Sequence, residues 1–158
     1  FAHHLSRRAR GLPFWFSRGL SAVLSNTIIT DREVQFGRAI RSYVDELQLG
    51  RYSLPELLTM TRDSPAYARE IERHRFDAQC WALVHHMIFG EADRAASAQR
   101  LNEFVRLTVA GMTSLAAVDQ LYGGVAALDC AVSVAAASFT IPPGEVRSSS
   151  RRLMMTRS

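Results

Sequence analysis

At 158 residues, with 47% hydrophobic and 22% charged side chains, the chain has the composition of a domain that buries its own core, which excludes disorder over most of its length. The net charge of +4 comes from 19 arginines and no lysine. It is unevenly spread: residues 1–37 hold five Arg and two acids, residues 38–146 ten Arg and thirteen acids, and residues 147–158 four Arg. A slightly acidic body between basic ends excludes the basic face of a nucleic-acid-binding domain. Asp119 and Asp129 interrupt the most apolar stretch, Leu115 to Phe139, so no run reaches the ~20 residues of a transmembrane helix.

Phe1 opens the chain without the basic, apolar and small-residue pattern of a signal peptide, and residues upstream of it are expected. Residues 1–10 suit a helix that stops at Gly11-Leu12-Pro13. Trp15, Leu20, Val23 and Leu24 recur at helical steps and predict a second helix from Phe14 to Leu24. Thr27 to Thr30 and Glu33 to Gly37 then read as a β-hairpin around Asp31-Arg32, although that pair lacks the glycine of a type I′ turn.

Beyond Gly37 the chain reads as helix almost throughout. Ser53-Leu54-Pro55-Glu56 is a capping box with proline in the first turn, and Ser64-Pro65 opens the next segment in the same way. Phe76, Cys80, Trp81, Leu83, Val84, Met87 and Ile88, ending at Gly90, predict a central helix buried on most sides. Ser97 is the expected cap of a helix holding Leu101, Phe104, Val105 and Val109, and Thr113 or Ser114 caps another through Leu121. Gly123-Gly124 separates a last helix, Val125 to about Ala136. Phe139 to Val146 is expected to close the domain in extended form, and the Ser/Arg-rich residues 147–158 to be a disordered tail. No repeat of solenoid period occurs.

Signals for chemistry are sparse. His3-His4 and His85-His86 are adjacent pairs, which point about 100° apart on a helix and cannot chelate together. Of His85 and His86, one is expected as a hydrogen-bonded core residue and the other as partly exposed. Glu70 and His74 have the spacing of a surface ion pair. Asp45-Glu46 and Glu91/Asp93 sit near helix ends as solvated acids, and Cys80 and Cys130 read as small core residues. No Gly-x-Ser-x-Gly elbow, phosphate-binding glycine loop or Cys-x-x-Cys pair is present.

Phe1-Ala2-His3-His4-Leu5, followed by Leu12-Pro13-Phe14-Trp15-Phe16-Ser17-Arg18-Gly19-Leu20-Ser21-Ala22, resembles part of the peptidase-MA-like, gluzincin-type zinc metallopeptidase domains. In that family one helix carries His-Glu-x-x-His and a following helix a Trp-x-x-Glu-Gly-x-x-Glu-like segment. Ile29 to Gly37 looks like the family's hairpin, Asp77 to His85 like its central helix, and Leu121 to Val146 like its closing helix and extended end, so the resemblance covers nearly the whole chain. It implies a mainly α fold, the bundle-like C-terminal part of a zincin-type domain with one short hairpin, over residues 1–146. It makes His3 the second histidine of the motif, a vestigial metal ligand, and places the first His and the catalytic Glu before Phe1.

The departures weigh most on function. The family's third zinc ligand aligns with Arg18, whose guanidinium has no lone pair to give. The supporting acid aligns with Ala22, which can neither bind metal nor orient a histidine. The expectation is therefore a domain without catalysis and without a metal cofactor in this chain, serving as a binding or scaffold domain. An active zinc-dependent peptidase in a longer protein and a helical interaction module are the alternatives.

Overall fold

The computed structural model describes residues 11–139, and among them the chain is mainly helical, with eight helices and one two-stranded antiparallel hairpin. The expected first helix, the extended close beyond Phe139 and the Ser/Arg-rich tail lie outside the described residues, as does His3.

Helix α1 spans Phe14–Ser25 and buries Trp15, Phe16, Gly19 and Val23, one stripe of a helix. Leu24, one of the four apolar residues at helical steps, is 53% exposed: in the last turn Val23 carries the buried stripe, and Leu24 lies beside it on the open side. The hairpin pairs β1 (Ile28–Ile29) with β2 (Val34–Gln35), with Ile28 opposite Gln35 and Ile29 opposite Val34. Its turn closes without glycine: the Thr30 amide donates to the Glu33 carbonyl at 2.9 Å, and the Thr30 hydroxyl accepts from the Glu33 amide at 3.1 Å. No non-glycine residue among those described has positive φ, so the turn is not of type I′.

Four helices lead into and form the centre: α2 (Arg41–Leu49), α3 (Leu54–Thr59), α4 (Pro65–Ala68) and α5 (Glu70–Phe89). The capping box at α3 is complete, with Ser53 and Glu56 bonding reciprocally. At α4 Ser64 does not cap; its hydroxyl accepts from the Thr61 amide instead. Helix α5 is buried without a break from Phe76 to Val84, which makes it the hub on which the other helices pack.

Then come α6 (Arg94–Val109), α7 (Ser114–Tyr122) and α8 (Val125–Ser138). Asp93, not Ser97, caps α6, accepting from the Ala95 and Ala96 amides. Ser97 lies one turn inside, buried, and donates its hydroxyl to the Met87 carbonyl. Thr113 caps α7, and Gly123 and Gly124 take positive φ to turn the chain into α8. Cys80 is buried as expected but Cys130 is exposed, since alanine-rich α8 is apolar around its circumference and only Leu128, Val132 and Ala136 face inward. No single described helix is long and apolar enough to cross a membrane; α7 and α8 reach that composition only together, across a 77° bend.

Candidate functional site

The position that the resemblance assigns to the third ligand lies where α1 crosses α5. Gly19 makes this crossing close: a Cβ there would land on the Cys80 carbonyl oxygen and 2.6 Å from a Val84 methyl. Arg18, beside it on the rim of the buried stripe, is thereby brought to Asp77 of α5. Its Nε donates to Asp77 Oδ1 at 2.9 Å and its Nη2 to Oδ2 at 2.6 Å, a bidentate pair. The carboxylate is 13% exposed and the guanidinium 41%, so the acid is held inside and the cation closes over it. Hydrogen bonding to Asp77, outweighing burial, raises the Arg18 pKa further above its ordinary value and fixes its charge.

The same helix matches its other polar side chains to its neighbours. Arg75 donates to Glu46 of α2 at 3.1 Å, so Glu46 is a buried, paired acid and not the solvated one expected. Gln79 clamps the backbone of Tyr52, accepting from its amide at 2.6 Å and donating to its carbonyl at 2.9 Å. Glu91 pairs with Arg100. Glu70 and His74 form no ion pair; the His74 ring meets that of Tyr43 at 5.3 Å.

This crossing offers little to a reaction. Burial pushes the Cys80 thiol well above its ordinary pKa, which keeps it protonated and a poor nucleophile. Burial also raises the hydroxyl of Tyr43, close enough to feel the charges of Asp77 and Arg18. Zinc does not fit these residues: the donor expected at position 18 is a cation already locked to Asp77, and half-buried Ala22 brings no donor atom. Among the described residues no three His, Cys, Asp or Glu side chains gather in a way that could hold a metal.

A second feature opens at the other end of α5. A groove of about 1160 Å³ lies between the segment after β2, the end of α5, the start of α6 and α8. His85 and His86 line it. His85 Nε2 sits 2.8 Å from the Gly37 carbonyl, and since a carbonyl only accepts, this nitrogen carries the proton. Burial lowers the pKa of both imidazoles, with the Gly37 carbonyl opposing at His85 and Glu91 at His86. Both are therefore partly buried, neutral rings, His85 hydrogen-bonded as expected of one of the two. Sequence reasoning did not find the groove, because its walls come from four separate stretches of chain.

No protein-family model, no curated protein and no solved structure matches this chain.

Proposed function

We propose that this chain is a noncatalytic relative of the gluzincin-type zinc peptidases, acting as a binding or scaffold domain. The observation that carries this reading is the bidentate Arg18–Asp77 pair at the position where the resemblance expects a metal-ligating carboxylate. The guanidinium has no lone pair to offer, both oxygens of the Asp77 carboxylate are already bonded to it, and this outer, cationic member of the pair repels a divalent cation. Gly19 and the tryptophan four residues before it support the resemblance to the Trp-x-x-Glu-Gly segment, and Arg18 and Ala22 stand where that segment would carry its acids. An active peptidase would need another acid at this crossing, and the carboxylate that is present, Asp77, is committed to Arg18.

Metal analysis of the protein after incubation with zinc and exhaustive dialysis tests the reading. The expected result is far less than one zinc per chain and an unchanged melting temperature when zinc is added. One retained zinc per chain, with a raised melting temperature, would overturn it.

A further inference from the structure

The groove at the end of α5 is walled by Phe36, Ile88, Phe89, Leu101, Val134 and Phe139, and two of these stand open in it: Phe36 is 49% and Val134 67% exposed. Gly37 closes one side. Its φ is +70°, and a Cβ there would fall 2.5 Å from the Phe89 ring, so a glycine is what lets the segment after β2 come down on the end of α5. The volume, about 1160 Å³, exceeds the roughly 300–1,000 Å³ of ordinary small-molecule sites. We propose that the groove binds a long-chain alkyl carboxylate, a free fatty acid, with the chain along the apolar wall and the headgroup on Arg94.

The headgroup follows from the charges. Arg94 is the one charged side chain in the wall, since burial lowers the pKa of His85 and His86 and leaves both rings neutral. It is also held in place: its Nη1 donates to the Ile88 carbonyl at 3.1 Å, and its guanidinium carbon lies 5.3 Å from the centroid of the Phe89 ring. The edge formed by Nε and Nη2 has no partner among the described residues, and this is the edge with which Arg18 grips Asp77. The two acids nearest to Arg94 in sequence are already engaged. Glu91 pairs with Arg100, and Asp93 accepts from the Ala95 and Ala96 amides. One open guanidinium edge matches one carboxylate, two N–H groups to two oxygens, and would leave half the charge of a phosphate dianion unanswered.

A second copy of the chain fits less well. A two-fold contact brings the same patch together from both chains, and this wall contains no Asp or Glu to answer the two Arg94 cations that it would juxtapose. An amphiphile meets both features at once, because the wall is apolar and Arg94 is exposed, where water still reaches a headgroup. Retained zinc at the α1–α5 crossing would leave this site untouched.

Isothermal titration of dodecanoate, below its micellar concentration, into the full chain is the test. The expected result is one dodecanoate per chain, with dodecyltrimethylammonium, the same tail on a cation, bound about tenfold more weakly or worse. Arg94→Gln should weaken dodecanoate by about tenfold or more and remove its advantage over the cation. Ala135→Trp, which places an indole in the groove, should abolish both, with the helical circular dichroism unchanged. Arg94→Gln alters an exposed side chain and carries the test if Ala135→Trp does not fold. A parent that binds no dodecanoate would overturn the proposal, as would several molecules per chain with no preference for the anion. Undiminished affinity in Arg94→Gln would overturn the headgroup assignment, and tighter binding of dodecyl phosphate than of dodecanoate would overturn the choice of a carboxylate. A sedimenting mass of two chains in the parent and one in Ala135→Trp would assign the groove to a second copy.

Discussion

The two ends of helix α5 are built on opposite terms. Around Asp77 the helix meets α1 at a glycine, and its polar side chains each have a partner: Arg75 with Glu46, Asp77 with Arg18, Gln79 with Tyr52. Around His85, about two turns on, it borders a groove with exposed Phe36 and Val134 and with His86 Nδ1 lacking a partner among the described residues. The closed end is the one that the family resemblance would make chemical, and the open end is the one with capacity left for binding. The position that the resemblance would make a metal ligand is here a packing contact.

The comparison can be broken at several points, beginning with the helix common to both ends. Trp81 is fully buried, and Trp81→Ala should cost ~3–5 kcal/mol, a large share of the roughly 5–15 kcal/mol that holds a domain together. Denaturant titration reads this directly; a melting temperature within a few degrees of the parent would mean that α5 is not the hub. At the closed end alone, Gly19→Ala should cost about 1–3 kcal/mol, because the clash falls on the Cys80 backbone, which cannot rotate away. A neutral or stabilising effect, as expected of alanine in an ordinary helix, would remove the close crossing.

The charge pair makes an asymmetric prediction. Arg18→Ala strands a carboxylate that is mostly buried and should cost ~1–3 kcal/mol. Asp77→Ala leaves a guanidinium that water already reaches, and solvent screening holds the loss near ~1 kcal/mol. In a double-mutant cycle the two should be non-additive, the double variant being less destabilised than the sum. Additive losses would show that the pair is not a coupled unit.

Much of this architecture was legible locally. The capping box at Ser53 and Glu56, the Gly123-Gly124 break and the apolar run of α5 are signals contained within a few turns of chain, and each marks what the structure has there. Ser97 misled because Asp93, four residues earlier, is the better cap, and a serine inside a helix can instead turn its hydroxyl to the neighbouring helix. Cys130 misled because an alanine-rich helix does not reveal its inward face. The partner of Arg18 lies 59 residues away, and no periodicity encodes such a distance. Position 18 could be singled out only through the resemblance, and what holds its side chain only through the fold.

At the open end the smallest effect is one of pH. Burial lowers the pKa of His85 and His86 below the ordinary 6.5, so the unfolded chain takes up protons first on acidification. Their contribution to stability should be complete above about pH 6.5 and be lost as pH falls through the lower folded values. His85→Gln should flatten that slope in melting experiments between pH 5 and 7; an unchanged slope would place the titration elsewhere.

The most direct test of the central claim, that Arg18 and Ala22 rather than the helix framework exclude zinc, is calorimetric titration of zinc into a protein lengthened at its N-terminus to carry a complete His-Glu-x-x-His motif ending at His3. Zinc affinity should be negligible in that protein and should rise to stoichiometric binding when Arg18→Glu and Ala22→Glu are introduced together, because a carboxylate supplies the lone pair that a guanidinium lacks. Tight zinc binding with Arg18 and Ala22 unchanged would contradict the account and leave an active peptidase standing.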